Sequence, residues 1–203
     1  MADAAFWDSR YAGADFAYGE APNGFLASLD YMPGGRALVP GDGEGRNGVF
    51  LAERGLKVET LDLSGEGVAK SRRMAAARGV ALDARQADVL AWDWPVSAYD
   101  VIALIYLHLP APERRLLHAR ALAALKPGGR IVLEAFTPAQ LVKQAQGAKG
   151  GPREAGLLYN AADLRADFAG AEIERLQEVE EEMREGALHI GASAVVRLVV
   201  RRV

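Results

Sequence analysis

The sequence predicts an α/β fold built on a mostly parallel sheet. Short apolar runs alternate with helical patterns, a glycine-rich turn follows the first clear strand, and two long strand-like segments close the chain. Asn23 to Tyr31 reads as helix-like. Arg36 to Pro40 is a short buried strand, and Gly41 to Gly45 forms the turn after it. The next helix carries Val49, Phe50 and Leu51 and ends at Gly55, where glycine can take the left-handed terminal conformation. Lys57 to Asp62 is the second strand. Ser64 caps a helix reaching Arg78, and Gly79 stops it. Leu82 to Ala87 and Tyr99 to Leu104 are the third and fourth strands. Pro112 to Leu125 is a helix, halted by Lys126-Pro127-Gly128-Gly129, and Arg130 to Phe136 is the fifth strand. Gly147 to Gly156 reads as a mobile loop, and Asn160 caps a helix through Phe168. Ala171 to Met183 and Ala192 to Arg202 form the final strand pair, joined by Arg184 to Gly191.

Composition narrows the chemistry. The 203 residues suit a single domain, with residues 1–35 as an N-terminal lid or helix segment inside it. Twenty-four Lys and Arg against 27 Asp and Glu leave a net charge of −3, without the basic surplus of a dedicated nucleic-acid binder. No cysteine is present. That excludes a disulfide framework, a cysteine-ligated metal and a thiol nucleophile, and no metal site is expected. The opening residues lack the basic-then-apolar layout of a signal peptide, and no apolar run approaches the roughly 20 residues of a membrane helix. A soluble cytoplasmic protein, monomeric or homodimeric and without membrane partners, is the expectation.

The best-marked site is Gly41-Asp42-Gly43-Glu44-Gly45-Arg46-Asn47-Gly48. Alternate glycines let backbone approach a ligand closely, and amides at the start of the following helix favour an anionic group. Asp62 ends the second strand, where a carboxylate can accept both ribose hydroxyls of a nucleoside. Asp88 follows the third strand, within reach of an adenine edge. The three features together point to an adenosine-containing ligand. Gly43 to Gly48 also satisfies G-x-G-x-x-G, so an NAD(P)-dependent oxidoreductase is the alternative. Against it, no tyrosine is followed by a lysine four residues on.

Over essentially its whole length the chain resembles the class I S-adenosylmethionine-dependent methyltransferases. Gly41-Asp42-Gly43-Glu44-Gly45 is similar to that family's first motif, Asp62 to its ribose-binding acid, Asp88-Val89 to its adenine-side motif, and Leu125 to Arg130 to its Leu-Lys-Pro-Gly-Gly turn. Trp7 to Tyr11, Tyr18-Gly19 and Pro22 to Leu26 resemble the small-molecule branch near the tellurite-resistance and thiopurine methyltransferases. The resemblance implies a three-layer Rossmann-like fold whose seven-stranded sheet ends in an antiparallel hairpin. It implies S-adenosylmethionine as methyl donor, held by Gly41, Asp42, Gly43, Glu44, Gly45, Asn47, Asp62, Leu63, Ser64, Asp88, Val89, Leu104, Ile105, Trp7 and Tyr11. One departure stands out: Val39 and Pro40 occupy the place where the family usually has an acid before the first glycine, and Asp42 is positioned to compensate.

Methyl transfer from a sulfonium is an in-line displacement that asks mainly for positioning and a dry site. A base is needed only where the acceptor must lose a proton. Leu104 to Pro110 lacks the Asn/Asp-Pro-Pro-aromatic motif of amino-group methylases, and the absent cysteine excludes carbon-5 pyrimidine chemistry. A small-molecule thiol or other chalcogen nucleophile fits best, and a catalytically silent binder is the remaining alternative. His108, past the fourth strand, Tyr11 in the lid segment and His189 are the catalytic candidates. Arg184 and His189 are expected to be exposed in the hairpin turn, His118 on a helix surface, and Glu178, Glu180, Glu181, Glu182 and Glu185 at a solvated hairpin tip. Arg197, Arg201 and Arg202 alternate with apolar residues at roughly the period of a strand.

Overall fold

The computed structural model describes residues 3–29 and 34–203. A seven-stranded sheet runs through it: β1 (Arg36–Pro40), β2 (Lys57–Asp62), β3 (Leu82–Gln86), β4 (Tyr99–Ile105), β5 (Leu125–Phe136), β6 (Glu172–Glu185) and β7 (His189–Arg201), in the order β3-β2-β1-β4-β5-β7-β6. Strands β1 to β5 are parallel, while β7 runs antiparallel to β5 and to β6. The helices are α1 (Ala4–Tyr11), α2 (Gly24–Ala27), α3 (Arg46–Glu53), α4 (Gly65–Ala77), α5 (Ala111–Ala124), α6 (Gln140–Ala145) and α7 (Ala161–Asp167).

The sheet's residues are apolar on both faces because both are covered. Leu38, Ile102, Leu104, Leu133 and Leu198 pack on the side of Leu117 in α5 and Leu164 in α7. Ala37, Val39, Val101, Val132 and Val199 alternate with them and pack with Phe25 in α2 and Leu51 in α3. Three layers result. Ser64 and Asn160 cap α4 and α7 as expected, accepting from the Gly67 and Asp163 amides. Helix α5 ends at Ala124, and β5 pairs at once through Leu125. The Pro-Gly-Gly segment bulges before regular pairing resumes at Arg130.

Several expectations are corrected. The helix read from Asn23 is a single turn, Gly24–Ala27, and Tyr31 lies outside the described residues. The hairpin is longer and tighter than the sequence suggested. Only residues 186–188 separate β6 from β7, so Arg184, Glu185, His189 and Gly191 sit in strands. His189 is buried, not exposed, and Glu185 pairs with Arg46 instead of solvent. His118 is 1% exposed because its Nδ1 meets the buried Asp167 carboxylate at 2.8 Å, which also accepts from Arg114. The segment from Gly147 to Gly156 is tied to β7 by paired backbone bonds between Lys149 and Ile190.

Leu133 is 1% exposed in the middle of β5. Leu133→Ala is expected to cost about 2–5 kcal/mol by the cavity it leaves, measured as a lower urea midpoint at unchanged slope.

Candidate active site

The order of strands reverses direction between β1 and β4, and ligands of open α/β sheets bind beyond the carboxyl ends at such a point. A cavity of about 570 Å³ opens there. One half is built by the turn after β1. Gly45 takes a left-handed φ of 96°, and a Cβ on it would come within 2.3 Å of the Ser71 hydroxyl of α4. Gly43 (φ 58°) leaves room for Tyr11, whose hydroxyl would stand 2.6 Å from an added Cβ.

Two carboxylates brace this turn. Asp62 accepts from the Gly43 amide at 2.7 Å and from the Ser64 amide at 2.8 Å, leaving further lone pairs unused. Asp42 accepts from the Gly48 amide of α3 at 2.9 Å through Oδ2, while its buried Oδ1 has no partner. Burial drives the Asp42 carboxyl up to about 7 and also raises that of Asp62. The N-terminal segment folds across the turn. Glu44 accepts from the Ala17 amide (2.8 Å) and from Lys70 (2.7 Å), and Trp7 stacks on Tyr11. Asp8 accepts the Ser64 hydroxyl at 2.6 Å, and Asn47 accepts the Asn23 amide at 2.9 Å.

The other half is aromatic. Tyr18, Tyr106, Phe136, His108 and His189 line it, with the backbone of Gly150 and Gly151 laid against the Phe136 ring. Tyr106 sits at φ 52° just past β4, an uncommon conformation for a non-glycine residue. Its ring stacks on Phe136 at 4.8 Å and its hydroxyl donates to the buried Glu134 at 2.5 Å. Glu134 also accepts from Asn23 and Arg197.

The three catalytic candidates differ sharply. Both ring nitrogens of His108 are used: Nδ1 bonds the Leu157 carbonyl at 2.7 Å and Nε2 accepts the Phe136 amide at 3.3 Å. Burial drives its pKa down to about 4, so it is a neutral strut. Tyr11 is 5% exposed, and burial with nearby acids pushes its phenol well up, which keeps it protonated. His189 remains unbonded.

Of the sequence-predicted ligand contacts, Trp7, Tyr11, Gly41, Asp42, Gly43, Glu44, Asn47, Asp62, Leu63, Asp88, Val89 and Ile105 line the cavity. Gly45, Ser64 and Leu104 do not. Gly45 shapes the turn, Ser64 caps α4, and Leu104 packs in the core. Sequence reasoning missed Phe136, Arg46 and the 148–153 segment. The strand-end rule that selected Ile105 would have reached Phe136, whereas the 148–153 segment carries no local signal. Among the described residues no group of His, Cys, Asp or Glu could hold a metal ion, and no helix is long and apolar enough to cross a membrane.

Comparison with known proteins agrees with this geometry. Residues 37–129 match the "Methyltransferase domain" family. A ribosomal RNA small subunit methyltransferase C of Chromohalobacter salexigens is 36% identical over 143 residues, 61% of this chain, and the chain spans only 40% of that relative. A Methanosarcina mazei protein described as a SAM-dependent methyltransferase superposes with a TM-score of 0.72 at 16% identity, covering 90% of this chain and 99% of its own. TehB of Haemophilus influenzae gives 0.72 at 14%, covering 98% and 67%. Nearly half of the chain thus resembles a methyltransferase domain, and the whole shares the fold of these solved structures.

Asp42 sets a pH dependence. Its carboxyl ionises at 3.8 ordinarily and near 7 when folded. Between those values the folded chain holds the extra proton, so this group favours folding at low pH and loses that contribution as pH rises toward 7. Asp42→Asn keeps the bond to Gly48 without the charge. Its stability relative to wild type should therefore grow from pH 4 to 7, by up to about 1.4 kcal/mol per pH unit, in urea titrations across that range.

Proposed function

We propose that this chain transfers a methyl group from S-adenosylmethionine to a small-molecule acceptor, a thiol or another chalcogen nucleophile. The observation that carries the reading is the Asp62 carboxylate. It is locked to the Gly43 amide at the carboxyl end of β2, with lone pairs unused at the edge of the cavity. The residues present suit the donor. Asp62 would take the ribose hydroxyls, and Asp88-Val89 the adenine side. Asp42, with one buried oxygen unbonded, offers a hydrogen-bond acceptor for the methionine ammonium where Val39 and Pro40 provide none. When bound, the donor supplies an activated methyl group on a cationic sulfur. The protein's part is to orient it and exclude water, and the ring-lined half of the cavity supplies low-polarity walls for a charge that disappears as transfer proceeds.

A small acceptor is favoured over a polymer. The cavity is flanked by the N-terminal segment and the β6–β7 hairpin, and Glu178, Glu180 and Glu182 along exposed β6 would repel a polyanion. The reading takes the chain as a single domain, monomeric or homodimeric, at work in the cytoplasm.

Calorimetry with S-adenosylhomocysteine, with NADH as control, tests the reading. Micromolar binding by wild type, weakened at least tenfold in Asp62→Ala, is expected. Binding of NADH in its place would overturn it in favour of an oxidoreductase.

A further inference from the structure

The mechanism above gives no task to the one histidine whose ring nitrogens are unbonded. His189 opens β7 and is 6% exposed, held between the Tyr18 ring (4.5 Å), the Tyr106 ring (4.8 Å) and the Phe136 ring (5.3 Å). The Gly150 backbone closes the remaining side, with a Cβ there reaching 3.1 Å from Cδ2 of the imidazole. Nδ1 is buried without a hydrogen bond, 3.6 Å from Oε2 of Glu185. Nε2 also has no partner among the described residues, and it is the nitrogen left to face the cavity that His189 lines. A neutral imidazole in an aromatic wall, with one lone pair aimed into a ligand cavity and a carboxylate behind it, is built to take a proton.

We propose that His189 is the general base for the acceptor, taking the proton from a thiol as its sulfur is methylated. This deepens the methyltransferase reading and rests on it. The acceptor's S–H bond breaks and its proton passes to Nε2. The freed sulfur electron pair forms the new bond to the methyl carbon, while the methyl's old bond to the donor sulfonium breaks and that pair returns to the donor sulfur. Glu185 stands 3.6 Å from Nδ1 and steadies the cation that forms, and Arg46, 2.7 Å from the same carboxylate, limits that effect. The other charged or titratable groups around the ring are Arg10 of α1, Tyr18, Tyr106, His108 and Lys149. Burial holds the imidazole below its usual range, so it is unprotonated and ready at neutral pH.

The test compares two thiols of similar shape: phenylmethanethiol, which stays largely protonated at pH 7.5, and benzenethiol, which ionises readily in water. His189→Asn should bind S-adenosylhomocysteine as wild type does, reporting an intact fold. It should lose roughly 100-fold in single-turnover rate with phenylmethanethiol and less than tenfold with benzenethiol. In the S-adenosylhomocysteine complex, phenylmethanethiol should move the one imidazole NMR signal that His189→Asn deletes. Equal losses on both thiols, no loss on either, or an unmoved imidazole signal would each overturn the assignment while leaving the methyltransferase reading standing. Wild type that binds no S-adenosylhomocysteine and methylates neither thiol would overturn both.

Discussion

A carboxylate in the middle of a sheet is expensive, and Glu134, 1% exposed on β5, is the interaction on which this site depends. Stripped of partners, such a group would cost several kcal/mol and would simply neutralise. Here it accepts from the Tyr106 hydroxyl past β4, from Asn23 at the start of α2 and from Arg197 on β7. Arg197 in turn reaches Glu181 on β6. Segments from the beginning, middle and end of the chain are therefore bound to one charge. Removing Glu134 takes a buried acceptor from Tyr106, Asn23 and Arg197 at once, so the bonds specify one arrangement more than they add stability.

That arrangement divides the cavity by chemistry. The side built by the β1 turn, β2 and β3 is polar and acidic, suited to hydroxyls, amides and a cation. The side built by β4, β5, β7 and the 148–153 segment is walled by rings. The strained φ of Tyr106 belongs to the boundary: its ring lies on Phe136 while its hydroxyl reaches Glu134. Strain of this kind persists only where surrounding bonds over-determine it. Tyr106 thus serves both the ring-lined wall and the hub at Glu134.

The polar half was largely legible in the sequence because its signals are local. Glycine at alternate positions, an acid at a strand end and a serine before a helix each state their backbone need within a few residues, and the structure sets Gly43, Asp62 and Ser64 in contact through two hydrogen bonds. The aromatic half was not, because it is assembled from residues whose neighbours in sequence say nothing of each other. His189 looked like a turn residue until the hairpin proved to have a three-residue tip, which moved it one strand inward and turned it to the cavity. His118 looked like a surface residue among arginines, yet Asp167, 49 positions away, holds it in the interior. Charge patterns along β6 hold for exposed Glu178, Glu180 and Glu182 and fail at Glu181 and Glu185, whose partners are Arg197 on β7 and Arg46 on α3.

The hairpin tip meets the opposite end of the chain: the Ala187 amide donates to the Ala17 carbonyl at 3.2 Å, and Glu185 pairs with Arg46. Contacts of such long sequence separation form only after a large loop has closed. In chain order the residues of the polar half are all made soon after β3, whereas the aromatic half has no His189 until β7 begins. The ring-lined half is therefore completed only by the β6–β7 hairpin, long after the polar half has all its residues.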